Sequence, residues 1–178
     1  MSRSLFALLF LLLFLSCAAP QEPPPAPPPT TAVDSTTIDS AGAHAFGQTI
    51  YVPAYSHIYY QNHRRVINLA TTLSIRNTDE KTPLTIMAVR YYDSEGNLVR
   101  HYIEQPVVLK PMASKAYVVE VDDTSGGSGA NFIVEWGSDQ PVTQPVVEAV
   151  MISTASTQGI SFVTTGRVLT DRLAEHAE

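Results

Sequence analysis

From Val66 onward, apolar and polar positions alternate with a period of two. In Val66 to Asn77 (VINLATTLSIRN), Ile67, Leu69, Thr71, Leu73 and Ile75 fall on one side and Asn68, Ala70, Thr72, Ser74 and Arg76 on the other. That is the pattern of a half-buried antiparallel strand. Asn77 to Lys81 is a polar turn, and Leu84 to Tyr92 (LTIMAVRYY) is the next strand. Asp93 to Asn97 reads as a hairpin turn, in which Gly96 is free to take positive φ, and Leu98 to Ile103 returns. Pro111 has no amide donor, so Leu109 to Ser114 is a further turn. Lys115 to Val121, Asn131 to Trp136, Val146 to Thr154 and Ile160 to Leu169 continue the alternation, and Gln48 to Val52 precedes it. No stretch has the apolar spacing of an amphipathic helix. About eight short strands predict an all-β fold: a two-sheet antiparallel sandwich of immunoglobulin-like type. A small barrel is the competing architecture. Phe132, Val134 and Trp136 share one face, which makes Trp136, the sole tryptophan, the expected centre of the core.

The first 45 residues follow a different pattern. Leu5 to Leu15 are all apolar. That run is shorter than the roughly 20 residues of a bilayer-spanning helix and fits the apolar part of a secretory signal. The stretch FLSC, Phe14 to Cys17, resembles a bacterial lipoprotein box. The resemblance implies cleavage before Cys17, a diacylglyceryl thioether on its sulfur and an acyl chain such as palmitate on its new amino terminus. Several acyl chains anchor stably where one does not. Seven prolines lie between Pro20 and Pro29, which predicts a semi-rigid polyproline II spacer. The Thr/Ser/Ala stretch after it has too little apolar bulk to fold. The expected organisation is therefore a signal peptide over 1–16, a lipid-anchored tether over 17–45, a β-sandwich over 46–170 and a tail over 171–178.

Charge and cysteine content narrow the partners. Removal of Arg3 with the signal leaves 10 basic against 17 acidic side chains, a net −7. So acidic a domain has no electrostatic footprint for nucleic acid and is repelled by anionic lipid, leaving the acyl chains to make the membrane contact. Cys17 is the only cysteine, so the exported domain can hold neither a disulfide nor a Cys-ligated zinc. Ala18 follows it where Asp would favour inner-membrane retention, so in a two-membrane cell the resemblance favours the outer membrane, facing the periplasm.

Two stretches carry candidate chemistry. The first is DDTSGGSGANFIVEW, residues 122–136. It lacks the lysine and following helix of a phosphate-binding loop, and the final glycine and helix of a nucleophile elbow. Asp122 and Asp123 are hard oxygen donors for calcium, but adjacent strand residues point to opposite faces. The plain reading is a mobile glycine-rich connection between strands; the competing one is a metal-dependent or hydrolytic enzyme centred on residues 122–131. The second stretch, YVPAYSHIYYQNHRR, spans Tyr51 to Arg65. Tyr55, His57, Tyr59, Tyr60, Arg64 and Arg65 are the candidate binding residues, because aromatic faces beside arginine suit a sugar ring or a protein partner. His57 and His63 lack the spacing of a helical zinc pair. Glu135 and Glu148 are left open as inward or outward residues, and no residue is assigned as catalytic. No cofactor is expected; the expected partners are the membrane, through the lipid, and an envelope protein or glycan.

Three blocks carry a further resemblance: Tyr51-Val52-Pro53 through Ser56 to Tyr59, then Gly126 to Trp136, then Glu148 to Met151 through Gly159 to Phe162. Together with Arg76-Asn77-Thr78, Tyr91 to Gly96 and Leu109-Lys110-Pro111, they resemble immunoglobulin-like modules of bacterial envelope proteins. More narrowly, they resemble the bacterial family of unknown function DUF3124 over most of residues 47–168. That resemblance implies a fold and no activity.

Overall fold

The computed structural model describes residues 44–154 and 159–172. Cys17, the signal and tether, and residues 173–178 lie outside this range. The domain is an all-β antiparallel sandwich with an appended hairpin, and it is not a barrel. It has twelve strands among the described residues rather than about eight. In chain order they are β1 (Phe46–Pro53), β2 (His57–Tyr60), β3 (Asn62–Asn68), β4 (Ala70–Arg76), β5 (Leu84–Tyr92), β6 (Leu98–His101), β7 (Val107–Leu109), β8 (Ser114–Val119), β9 (Asn131–Ser138), β10 (Val146–Ser153), β11 (Ile160–Thr165) and β12 (Arg167–Asp171). One sheet runs β12-β1-β9-β5-β6, with β7 pairing the first half of β5; the other runs β11-β10-β4-β8; β2 and β3 pair only with each other.

The larger strand count has two physical sources. The apolar alternation from Val66 to Asn77 passes through a bend at Leu69, where the chain leaves its pairing with β2 and joins β8 and β10. The run from Ile160 to Leu169 likewise bends at Gly166, so that β11 pairs β10 in one sheet and β12 pairs β1 in the other. Strands that switch sheets at a corner are a known way to close a sandwich. A Cβ at Gly166 would lie 2.6 Å from Ile50 Cγ2, so only glycine lets the corner sit this close to β1. The remaining additions, β2 and the three-residue β7, fall where the sequence shows no clean alternation.

Phe132, Val134 and Trp136 of β9 are fully buried, as expected, facing the core with Ile50 and Val52 of β1. The opposite sheet supplies Leu73, Ile75, Val119, Ala149 and Met151. A register shift between Ile86 and Ala88 inserts one residue into β5. This bulge moves Val89 and Tyr91 onto the inward face, which a strict period of two from Ile86 would have assigned to Ala88 and Arg90. Glu135 and Glu148 both point outward: Glu135 pairs with Arg90, and Glu148 lies 2.9 Å from Arg76.

The end of the sandwich where β4 leaves and β8 begins is tied by Asn77 and Asp79. The buried Asn77 amide donates to the carbonyls of Thr82 at 2.9 Å, Lys110 at 3.1 Å and Leu109 at 3.2 Å. Asp79 accepts from the amides of Lys81, Thr82 and Thr143, the bond from Thr143 being the strongest influence, and this holds its carboxyl well below the usual carboxylate range. The polar turn predicted at residues 77–81 is thus a built joint between three loops.

Candidate functional site

β1 carries the chain from one end of the sandwich to the other, and the β2–β3 hairpin leaves from the far end. The same end holds the 122–131 loop and the Asp93 turn. A two-stranded ribbon alone is marginal in water, so the root of the hairpin matters. Ile58 and Ile67 pair across the ribbon and pack against the core. Tyr55 does not join the exposed surface. It is partly buried and meets Phe162 edge-on at 5.7 Å, so one of the six candidate binding residues serves mainly as a strut.

Beyond this root the ribbon is open to solvent. Tyr59 is 54 % exposed and Tyr60 39 %, and Asn62 through Val66 are all exposed. The register jumps from Tyr59↔Val66 to Tyr60↔Asn62, which leaves His63, Arg64 and Arg65 as a three-residue bulge opposite no partner. Gln61 turns the chain with φ 61°, and the Arg64 amide donates to Asn62 Oδ1 at 3.0 Å. Arg64 and Arg65 are both exposed in the bulge, and neither forms an ion pair with another described residue. His57 packs edge-on to Tyr59 at 5.3 Å. From residue 51 to residue 78 there is no carboxylate, in a chain that is acidic as a whole. The structure therefore places His57, Tyr59, Tyr60, Arg64 and Arg65 on one hairpin, together with His63.

The glycine loop connects β8 to β9, as expected, and it is hydrogen-bonded to the hairpin root and to Ser94. Ser56, fully buried at the root of the hairpin, donates its amide to Gly127 O at 2.9 Å and accepts from Leu69 N at 2.9 Å. Its hydroxyl lies 2.8 Å from Tyr91 Oη. Ala54 N donates to Ala130 O at 2.9 Å, and Ser94 Oγ bridges Gly126 O and Gly129 N at 3.1 and 2.9 Å. A single 3-10 turn, Gly127–Gly129, forms between these contacts. The loop thus buttresses the hairpin root from below, with Tyr91 as the common post. Burial raises the Tyr91 hydroxyl pKa, against the opposing bond from Ser56, which keeps the post neutral.

One carboxylate of this loop, Asp123, is also engaged structurally. Asp123 accepts from Ser125 and lies 3.0 Å from Arg100, and both partners hold it below its ordinary pKa, the Ser125 hydroxyl first. Asp122 and Asp123 line a shallow depression of ≈ 520 Å³ with Val99, Arg100, Glu120 and Ser125. Ser128, His57 and His63 are not among its lining residues. Among the described residues, no group of three or more His, Asp or Glu side chains is placed to hold a metal ion.

Fold and site define an all-β sandwich bearing an aromatic and arginine-rich hairpin braced by a glycine loop. The chain belongs to the family described as protein of unknown function (DUF3124), whose model matches residues 47–169. The match spans both the hairpin and the loop. No curated protein matches the chain. Among solved structures it is similar to the crystal structure of Thermotoga maritima 1070, at 15% identity and a TM-score of 0.40 over 67% of this chain and 92% of that one.

Proposed function

We propose that this protein is a membrane-tethered envelope lipoprotein whose β-sandwich is a non-catalytic binding module. Cys17 carries the lipid, residues 17–45 form the tether, and the β2–β3 hairpin is the contact surface. In a two-membrane cell the protein sits in the outer membrane facing the periplasm. The observation that carries the binding role is the hairpin itself. It stands outside both sheets, presents exposed Tyr59, Tyr60, Arg64 and Arg65, and has a root braced by the glycine loop. Exposed aromatics and arginine are the side chains that most often anchor recognition. The backbone of Gly126, Gly127, Gly129 and Ala130 is spent on that bracing and on Ser94, and Asp123 is engaged by Ser125 and Arg100, which favours binding over catalysis at residues 122–131.

Two measurements test this. Incorporation of a clickable fatty acid is expected in the wild type and absent from Cys17→Ser; equal labelling of both would refute the anchor. Envelope material recovered with the full chain from detergent extracts is expected to be lost from Tyr59→Ala/Arg64→Ala/Arg65→Ala at an unchanged unfolding midpoint. Unchanged recovery would refute the hairpin as the contact surface.

A further inference from the structure

We propose that the hairpin tip recognises an anionic glycan, a saccharide polymer bearing carboxylates. This rests on the reading of the hairpin as the binding surface and names its ligand. The argument starts from charge. The mature chain is net −7, yet the hairpin, residues 57–68, contains two arginines, two histidines and no carboxylate. Arg64 and Arg65 project from the bulge without an ion-pair partner among the described residues. A cationic tip on an acidic body draws in anionic groups while the body repels extended anionic surfaces. An anionic bilayer is such a surface, and the tip offers it only tyrosines and Val66, with no large aliphatic wedge.

Shape favours a linear ligand over a globular acidic protein. Two strands about 5 Å apart, carrying four or five residues each, make a ribbon only about 10 Å wide and about 15 Å long at the backbone. Stable protein interfaces are broad, covering about 800 Å² of accessible surface per partner. A linear polymer needs only a narrow contact and gains from repetition along its length. Tyr59 and Tyr60, neighbours on β2, add exposed rings to the same hairpin as the two arginines, and such rings present an apolar face with a polar edge. Guanidinium groups bind carboxylates in paired geometry. Exposed rings and unpaired charges on one small hairpin suit a sugar acid, which offers both a ring and a carboxylate.

The test is retention of the full chain, in non-ionic detergent, on three immobilised polymers: polygalacturonate, dextran and poly-glutamate. They carry sugar rings with carboxylates, rings alone and carboxylates alone. Polygalacturonate is expected to retain the protein about tenfold or more strongly than either control, and Arg64→Ala/Arg65→Ala to remove that preference. Added salt weakens the wild type and barely affects the variant. Tyr59→Ala/Tyr60→Ala, at unchanged charge, is expected to bring polygalacturonate down to the poly-glutamate level. Equal retention on poly-glutamate and polygalacturonate would overturn the glycan assignment in favour of an acidic peptide. No retention on polygalacturonate, or retention indifferent to the arginines, would overturn it outright. If envelope material is still lost from the hairpin variants in either case, the binding surface stands and only its ligand is wrong.

Discussion

Gly126→Ala isolates the contact on which the hairpin's support depends. Gly126 sits at φ −76° and ψ −25°, a right-handed conformation that alanine adopts readily. On backbone grounds alone the change would stabilise by about 0.4–1 kcal/mol. Packing opposes it. The new Cβ would lie 1.9 Å from Tyr91 Oη, 2.6 Å from Tyr91 Cζ and 2.7 Å from the Ala130 methyl. Tyr91 cannot swing aside freely: it is 1 % exposed, its ring lies 4.8 Å from Phe132, and its hydroxyl holds Ser56. Overpacking costs about 1–3 kcal/mol, and a buried hydroxyl pair pulled apart about 1–3 more. Net destabilisation is therefore expected near 3 kcal/mol, roughly a 10 °C fall in Tm for a domain of this size. Trp136, buried and the sole tryptophan, reports the unfolding by fluorescence in a denaturant titration. Tyr91→Phe removes the nearest clashing atom. The double variant is thus expected to be more stable than the sum of the two single losses, though not fully restored, because Cζ stays too close. A Gly126→Ala protein within about 0.5 kcal/mol of wild type, or strict additivity with Tyr91→Phe, would refute the reasoning.

At the opposite end, Asn77→Ala leaves the carbonyls of Thr82, Leu109 and Lys110 without their shared donor. A loss of roughly 2–4 kcal/mol is expected by the same fluorescence titration. Asp79 sets a pH dependence there. Its folded pKa is depressed below the ordinary 3.8, so its contribution is present above that value and is lost as pH falls through the folded pKa. The stability advantage of wild type over Asp79→Asn is therefore expected to shrink as pH falls from about 5 to about 2. A gap that stays constant or widens on acidification would show that the carboxylate's charge is not what holds the joint. Gly166→Ala forces the β11–β12 corner off Ile50 and the Val147 carbonyl, and is expected to cost about 1–3 kcal/mol by chemical denaturation.

The sandwich was legible because burying one face of a sheet writes a period of two into the chain. The Phe132-Val134-Trp136 face lies where that pattern puts it, and so does the strand from Leu84 to Tyr92, although the bulge after Ile86 exchanges its two faces. Side-chain parity records which face is buried and nothing about which strand the backbone bonds to. For that reason the bends at Leu69 and Gly166 were invisible, and two apolar runs hid four strands. The β2–β3 ribbon carried its composition openly, in tyrosines and arginines, but not its shape. A bulge of three residues destroys the alternation that would have announced it. Tyr55 was grouped with its neighbours by type, whereas packing against Phe162 separates it from them. The glycine loop connects two strands, as its composition predicts, but its bracing role is not written in it. Three glycines suggest freedom when read alone, and only the position of Tyr91, some 35 residues earlier in the chain, reveals that Gly126 lacks a side chain because there is no room for one.

The measurement that tests the central claim most directly is site-specific photocrosslinking in intact cells, with the photoreactive residue at Tyr59, Tyr60 or Val163. Val163 lies on the four-stranded sheet at the same 54 % exposure as Tyr59, so accessibility is matched. The account predicts a discrete adduct from positions 59 and 60, abolished by Arg64→Ala/Arg65→Ala, and none from position 163. Adducts from Val163 alone, or equal adducts from all three positions, would contradict a binding function centred on the hairpin.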